Sequence, residues 1–256
     1  MIAFARTFQT ELIKAKNTFA LWLTIAGAGF IPVLFLIAYI AKWEKFIPKD
    51  GQNPWNGLFT NAFIGVSFFF VPMFVILLNC LIFNIEHKSN TWKHLFTQPI
   101  SKATVFLNKF LIINSLTMLC YGFFLLILFC FGIILGIWKH ELGFLSATPD
   151  FSKIVAFALK SYISVLAIIA IHFWLGFRVK NVILPIGIGL AGVVTAGIIA
   201  GRWKYDIYFP YGFPGYCVYK PALNNEFLAN YHVYSLIYFV LIMLMALIDF
   251  TRNYKG

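Results

Sequence analysis

The sequence predicts an all-α, polytopic membrane protein with six transmembrane helices, an N-terminal amphipathic helix in the interface, and a short cytoplasmic helix between spans two and three. Three observations carry this prediction. Hydrophobic residues make up 61% of the 256 positions and charged residues only 11%, whereas a soluble domain carries roughly a quarter charged residues. Mean hydropathy is +0.84. The apolar residues also fall into six runs long enough to cross a bilayer, which needs ~20 apolar residues per helix. Too little polar chain remains for a separate soluble domain, so residues 1–256 read as a single transmembrane domain.

Residues 1–17 precede the first run. Phe4, Phe8 and Leu12 recur there at helical spacing, with Arg6, Thr10 and Lys14 on other faces, a pattern suited to lying in the interface. The spans are expected at about 18–41, 58–83, 104–138, 153–177, 182–201 and 232–250. The third is over-long and should extend beyond the membrane. Lys160 lies inside the fourth and reads as a snorkelling side chain. The first run is too long for the core of a signal peptide, and no small-residue cleavage site follows it.

Net charge is +11, but the basic residues sit in short segments between apolar runs, as membrane anchors do. Anionic lipid head groups, not nucleic acid, are the partner this implies. With six spans both termini lie on one side. Of the 20 Lys and Arg residues, eleven fall on that side and nine on the other, which favours cytoplasmic termini in a multi-pass protein of the cell membrane. The four cysteines show no pairing or metal spacing. His87 and His94, two helical turns apart, are awkwardly placed for chelation. No metal site is expected.

Residues 86–109, EHKSNTWKHLFTQPISKATVFLNK, are polar yet patterned. Trp92, Leu95 and Phe96 form an apolar ridge at i, i+3, i+4. Pro99 ends that turn and Ser101 is placed to cap the next helix. The residues alone describe a short helix across the membrane face whose ridge meets either lipid or a groove on a cytosolic partner.

Glu86, Lys88, Thr91, Trp92, Leu95, Pro99, Ser101, Lys102 and Lys109 together resemble the cytoplasmic loop of type-2 ABC exporter permeases. The YFPYGFP run at 208–214 is similar to the permeases of lantibiotic-immunity and bacitracin-resistance exporters. The resemblance implies that Glu86, Lys88, Thr91, Trp92, Leu95, Phe96, Pro99 and Lys102 form a coupling helix and its flanks, docked on a separate ATPase. It also implies a dimer of cytosolic ATPase subunits that bind ATP and Mg, a second permease subunit (identical or related), and export, with immunity to an antimicrobial peptide as the role.

Other features carry two readings each. Gly27 and Gly29 in the first span, and Gly192, Ala196, Gly197 and Gly201 in the fifth, are small residues that let helices approach closely. They serve packing within the chain or, by the resemblance, a permease dimer. Pro185 should kink the fifth span or mark its first turns. The aromatic segment 203–234 is an interfacial belt or a re-entrant gate. Asn79 and Asn114 make interhelical hydrogen bonds or line a substrate path with Tyr208 and Phe213.

No catalytic constellation is present. An integral membrane enzyme would need paired carboxylates, an H-E-x-x-H or a nucleophile elbow. An ion-coupled carrier would need acids at mid-membrane, whereas these nine acids sit at span ends or in loops. Nor is there a phosphate-binding loop, so the chain needs no cofactor of its own and a transport reading draws its energy from a partner. The rival reading is a membrane scaffold without transport.

Overall fold

The computed structural model describes residues 2–16, 18–49, 51–88, 92, 97, 100–219 and 228–254. Every regular element among them is helical. The helices are α1 (Ile2–Lys16), α2 (Phe19–Ala41), α3 (Pro54–Ser67), α4 (Phe70–Lys88), α5 (Lys102–Trp138), α6 (Phe151–Arg178), α7 (Ile183–Ile199), α8 (Phe213–Tyr219) and α9 (Asn230–Arg252). Of these, α2, α4, α5, α6 and α9 are long and apolar enough to cross a membrane. The apolar α7 has 17 residues, about 25 Å of helix against a hydrocarbon core of about 30 Å.

Local chemistry sets the ends. Thr18 caps α2 by accepting from the Ala20 amide, and Asn53 caps α3 ahead of Pro54. Ser101 caps α5 through the Thr104 amide at 3.1 Å, as its position predicts. Asp150 caps α6 through the Lys153 amide at 3.2 Å. At 37 residues, α5 extends about 55 Å, so it projects well past a bilayer core. Pro185 falls in the first turn of α7.

The run expected as one span at 58–83 is divided into α3 and α4, which corrects that expectation. Pro72 has no N–H to give the Phe68 carbonyl, and the helix breaks at 68–69. The Phe68 ring fills the space beside two glycines. A Cβ on Gly197 of α7 would stand 2.7 Å from it and one on Gly215 of α8 2.9 Å.

The small residues of α7 are likewise occupied by rings of the same chain. A Cβ on Gly192 would come within 2.7 Å of the Tyr211 ring, and Ala196 is buried. In α2, Gly27 faces Phe74 and Gly29 faces Ile127, while Gly201 (φ +70°) has open space around it. Three cores result among the described residues. Phe83, Phe106, Phe173, Phe177 and Phe250 fill the end near α1, Trp55, Phe63, Phe124, Leu128 and Phe144 fill the opposite end, and Ala167, Phe213, Tyr216, Cys217 and Tyr231 form the third.

The aromatic segment after α7 has an exposed part and a buried part. Trp203, Tyr205 and Tyr208 are exposed, as a belt requires, whereas Tyr211, Phe213 and Tyr216 are buried in the bundle. These packings make a prediction for thermal unfolding of the purified chain in detergent. Leucine at Gly192 or Gly197 should destabilise it by about 1–3 kcal/mol through overpacking. Leucine at Gly187, where a Cβ meets nothing within 4 Å, should leave the melting temperature unchanged.

Candidate functional site

The charged residues near α1 converge on one buried cluster. Thr7, Glu11 and Ala15 line the inward face of α1, one position round from the Phe4, Phe8 and Leu12 stripe. Leu12 and Ile13 are left exposed. The reason is Glu11, whose carboxylate reaches Lys109 in the second turn of α5 at 2.9 Å. Lys109 also meets Glu86 in the last turn of α4 at 3.1 Å. Lys14 closes the square, 2.9 Å from Glu11 and 2.9 Å from Glu86.

Lys109 and the Glu86 side chain are each 1% exposed and the Glu11 side chain 6%. Three of the four groups lie out of water, and Lys14, 30% exposed, completes the neutralisation from the rim, the condition under which buried charge is tolerated. Burial works to lower the pKa of Lys14, but the Glu11 and Glu86 carboxylates outweigh it and hold the group above its ordinary value.

Beside the square lies an aromatic box around Trp92, which is itself buried. Its ring lies 5.3 Å from Tyr254 and 5.7 Å from Phe250, both edge-on, and 6.3 Å from Phe83 in a stacked arrangement. The Lys109 ammonium is 5.5 Å from the Trp92 ring and 5.8 Å from that of Phe83, within cation–π range.

His87 fixes the box in place. Its Nε2 is 2.8 Å from the Gly176 carbonyl and its Nδ1 is 3.3 Å from Trp92 Nε1. A carbonyl only accepts and an indole N–H only donates, so His87 donates from Nε2 and accepts at Nδ1. Both nitrogens are therefore used within the protein. Gly176 is needed for the close approach of Phe83, whose ring would lie 2.3 Å from a Cβ there. Lys102 Nζ donates to the Tyr254 carbonyl at 2.6 Å. Asp249 accepts from Arg178 through two hydrogen bonds and from Trp174 Nε1 at 3.1 Å, binding the ends of α6 and α9.

Of the predicted coupling residues, the structure brings Glu86 and Trp92 together beside Lys109 and joins Lys102 to the C-terminal segment. Lys88 is exposed at the end of α4. Thr91, Leu95, Phe96 and Pro99 lie outside the described residues. Among the described residues, the four suggested for a substrate path lie in different surroundings. Asn79 is buried and donates to the Val75 carbonyl. Asn114 donates to the Phe110 carbonyl and accepts from Tyr162 at 2.6 Å. Tyr208 is exposed against Tyr234, and Phe213 is fully buried. The groove of about 270 Å³ lined by Leu23, Gly27, Phe74, Tyr121 and Phe124 contains none of the four.

Sequence reasoning missed Glu11 and Lys14 as partners of the loop, and His87 as its clamp. A signal was available in the scarcity of acids. Only Glu11, Glu86 and Asp249 are expected on the side of the termini, and all three are taken up in ion pairs. It also missed His172, buried in α6 with Nε2 3.0 Å from the Tyr211 hydroxyl.

Residues 7–196, which hold Glu11, Lys14, Glu86, Trp92 and Lys109 but not Phe250 and Tyr254 of the aromatic box, match the family model described as ABC-2 family transporter protein. The chain belongs to that family. It is thus the membrane component of an ABC transporter, and the family implies an ABC ATPase subunit as partner. Neither the curated proteins nor the solved structures supply a match.

The square makes a prediction about charge balance. Lys109→Met alone leaves two buried carboxylates short of a counter-charge and should destabilise the chain by about 3–5 kcal/mol. Combining it with Glu11→Gln, which leaves Glu86 paired with Lys14 alone, should recover most of that loss, read as the melting temperature of the purified chain.

Proposed function

We propose that the chain is the transmembrane subunit of an ATP-driven exporter, working with a dimer of cytosolic ATPase subunits and a second permease subunit. In this reading both termini are cytoplasmic and α7 is the sixth span. Its shortness is met by local thinning of the bilayer and by anchoring through the exposed rings of Trp203, Tyr205 and Tyr208. The ATPase binds ATP and Mg and docks on the segment between α4 and α5. The exposed apolar faces of α2 and α7, which carry Phe19, Trp22, Ile37, Ile183 and Ile198, are the surfaces open to the second permease. The substrate is an antimicrobial peptide or similar amphiphile, a reading supported by the run at 208–214.

The observation that carries the proposal is the square of buried Glu11, Glu86 and Lys109 with half-buried Lys14. A loop that merely connects two spans needs no such foundation. A loop that receives a push from a partner does, because force is transmitted only through elements held rigidly to one another. Glu86 and Lys109 stand at the two roots of the loop, and α1 locks them together. Trp92 is buried within the chain, so it serves as the anchor of the segment, leaving Thr91 and Leu95 as the residues to meet the ATPase.

Two sets of variants test this. Thr91→Ala with Leu95→Ala should abolish co-purification of the ATPase while the permease still inserts. Lys109→Met with Glu11→Gln and Glu86→Gln should keep the ATPase bound but lower substrate-stimulated ATP hydrolysis about tenfold or more, a coupling loss of ~1.4 kcal/mol. Retained ATPase binding in the first set would overturn the docking assignment. Full coupling in the second would overturn the role of the square.

A further inference from the structure

At the end of the bundle opposite α1, a groove of about 350 Å³ runs between α3 and α6. We propose that it binds the phosphate head group of an anionic membrane lipid, with the acyl chain leaving along the lipid-facing side of α6. This inference does not depend on the export reading and concerns residues away from the ion square.

The groove's walls have complementary chemistry. On α6, Lys153 and Lys160 are seven residues apart and share one face. On α3, Asn56 and Thr60 are four residues apart, share one face and are exposed. All four side chains line the groove, together with Phe59, Phe63, Ile154 and Phe157. The Phe63 and Phe157 rings, 4.9 Å apart, join the two helices beneath it. Ammonium groups with amide and hydroxyl donors above an aromatic floor match an amphiphile with an anionic head. The volume falls within the ~300–1,000 Å³ of small-ligand sites.

The position of Lys160 selects a lipid over a soluble anion. It lies nine residues into α6, about 13 Å along the helix from Phe151, within an apolar run. Phe151, Val155 and Leu159 on the neighbouring face are exposed and apolar, as lipid contact requires. A head group at that depth arrives with its own acyl chain. Lys153 pairs with Asp150 at 2.8 Å, and Lys160 has a contact of its own within the chain. Neither opposes this, because Lys153 is 76% exposed, such surface pairs hold weakly, and an ammonium group has three donors to share.

The test uses the full chain in neutral detergent micelles, titrated with lysophosphatidylglycerol, lysophosphatidylcholine or inorganic phosphate while the melting temperature is followed. The anionic lysolipid should raise the melting temperature more than the zwitterionic one, and phosphate alone should not. Lys160→Gln should weaken the anionic lysolipid about tenfold, the loss expected of one charge-assisted hydrogen bond. Thr60→Trp fills the groove from an exposed position without altering charge, so it should abolish the selective shift even if Lys160→Gln fails to fold. Lys204→Gln, at an exposed lysine elsewhere, should behave as wild type. An equal shift in wild type and Thr60→Trp would overturn the site. A shift with phosphate alone would overturn the lipid as its occupant.

Discussion

Lys109 cannot lie in the interior of this bundle unless its charge is matched, and much of the architecture near the termini follows from that. An unpaired ammonium group out of water would cost several kcal/mol. Glu86 supplies one carboxylate from the end of α4, and Glu11 supplies a second from α1. Two carboxylates against one ammonium would leave an excess negative charge, which Lys14 removes. The requirement for neutrality therefore holds α1 against α4 and α5. It also explains why the inward face of α1 is drawn round to Glu11, with Leu12 and Ile13 left outside.

Around this square the bundle is joined by rings set against glycines. Phe83 packs on Gly176, Phe68 on Gly197 and Gly215, Tyr211 on Gly192, and Trp55 on Gly132. Lipid tails are as apolar as these side chains, so burial alone gives little reason for helices to associate in a membrane, and close van der Waals packing takes its place. These glycines are thus occupied from within the chain, and the exposed aliphatic and aromatic flank of α2 and α7 is the surface that the export proposal gives to a second permease. The two ends of the molecule differ in kind. Near α1 the side chains close into ion pairs and stacked rings. At the far end, Asn56, Thr60, Lys153 and Lys160 leave an open polar groove over an aromatic floor.

Much of the fold was legible because the bilayer imposes length and composition on any helix that crosses it. The long apolar helices and the Ser101 cap follow from that constraint and from local capping chemistry. The break at 68–69 was legible in principle, because Pro72 removes the hydrogen bond that would have made 58–83 continuous. Of the site, Glu86, Trp92 and Lys109 were picked out as parts of a patterned loop. Their partners were not, because Glu11 and Lys109 are 98 residues apart in the chain, and no period in the sequence records a contact over that distance.

By itself the sequence determined that this protein is helical and lies in a membrane, while the resemblance of residues 86–109 pointed to an ATPase as partner. The first two properties depend on composition and on run length. Only the tertiary structure decided which charges neutralise one another, that Trp92 faces inward, and which rings occupy the glycines of α7. Each of these depends on where side chains from distant segments meet, and burial leaves a charged or bulky group with very few partners that satisfy it.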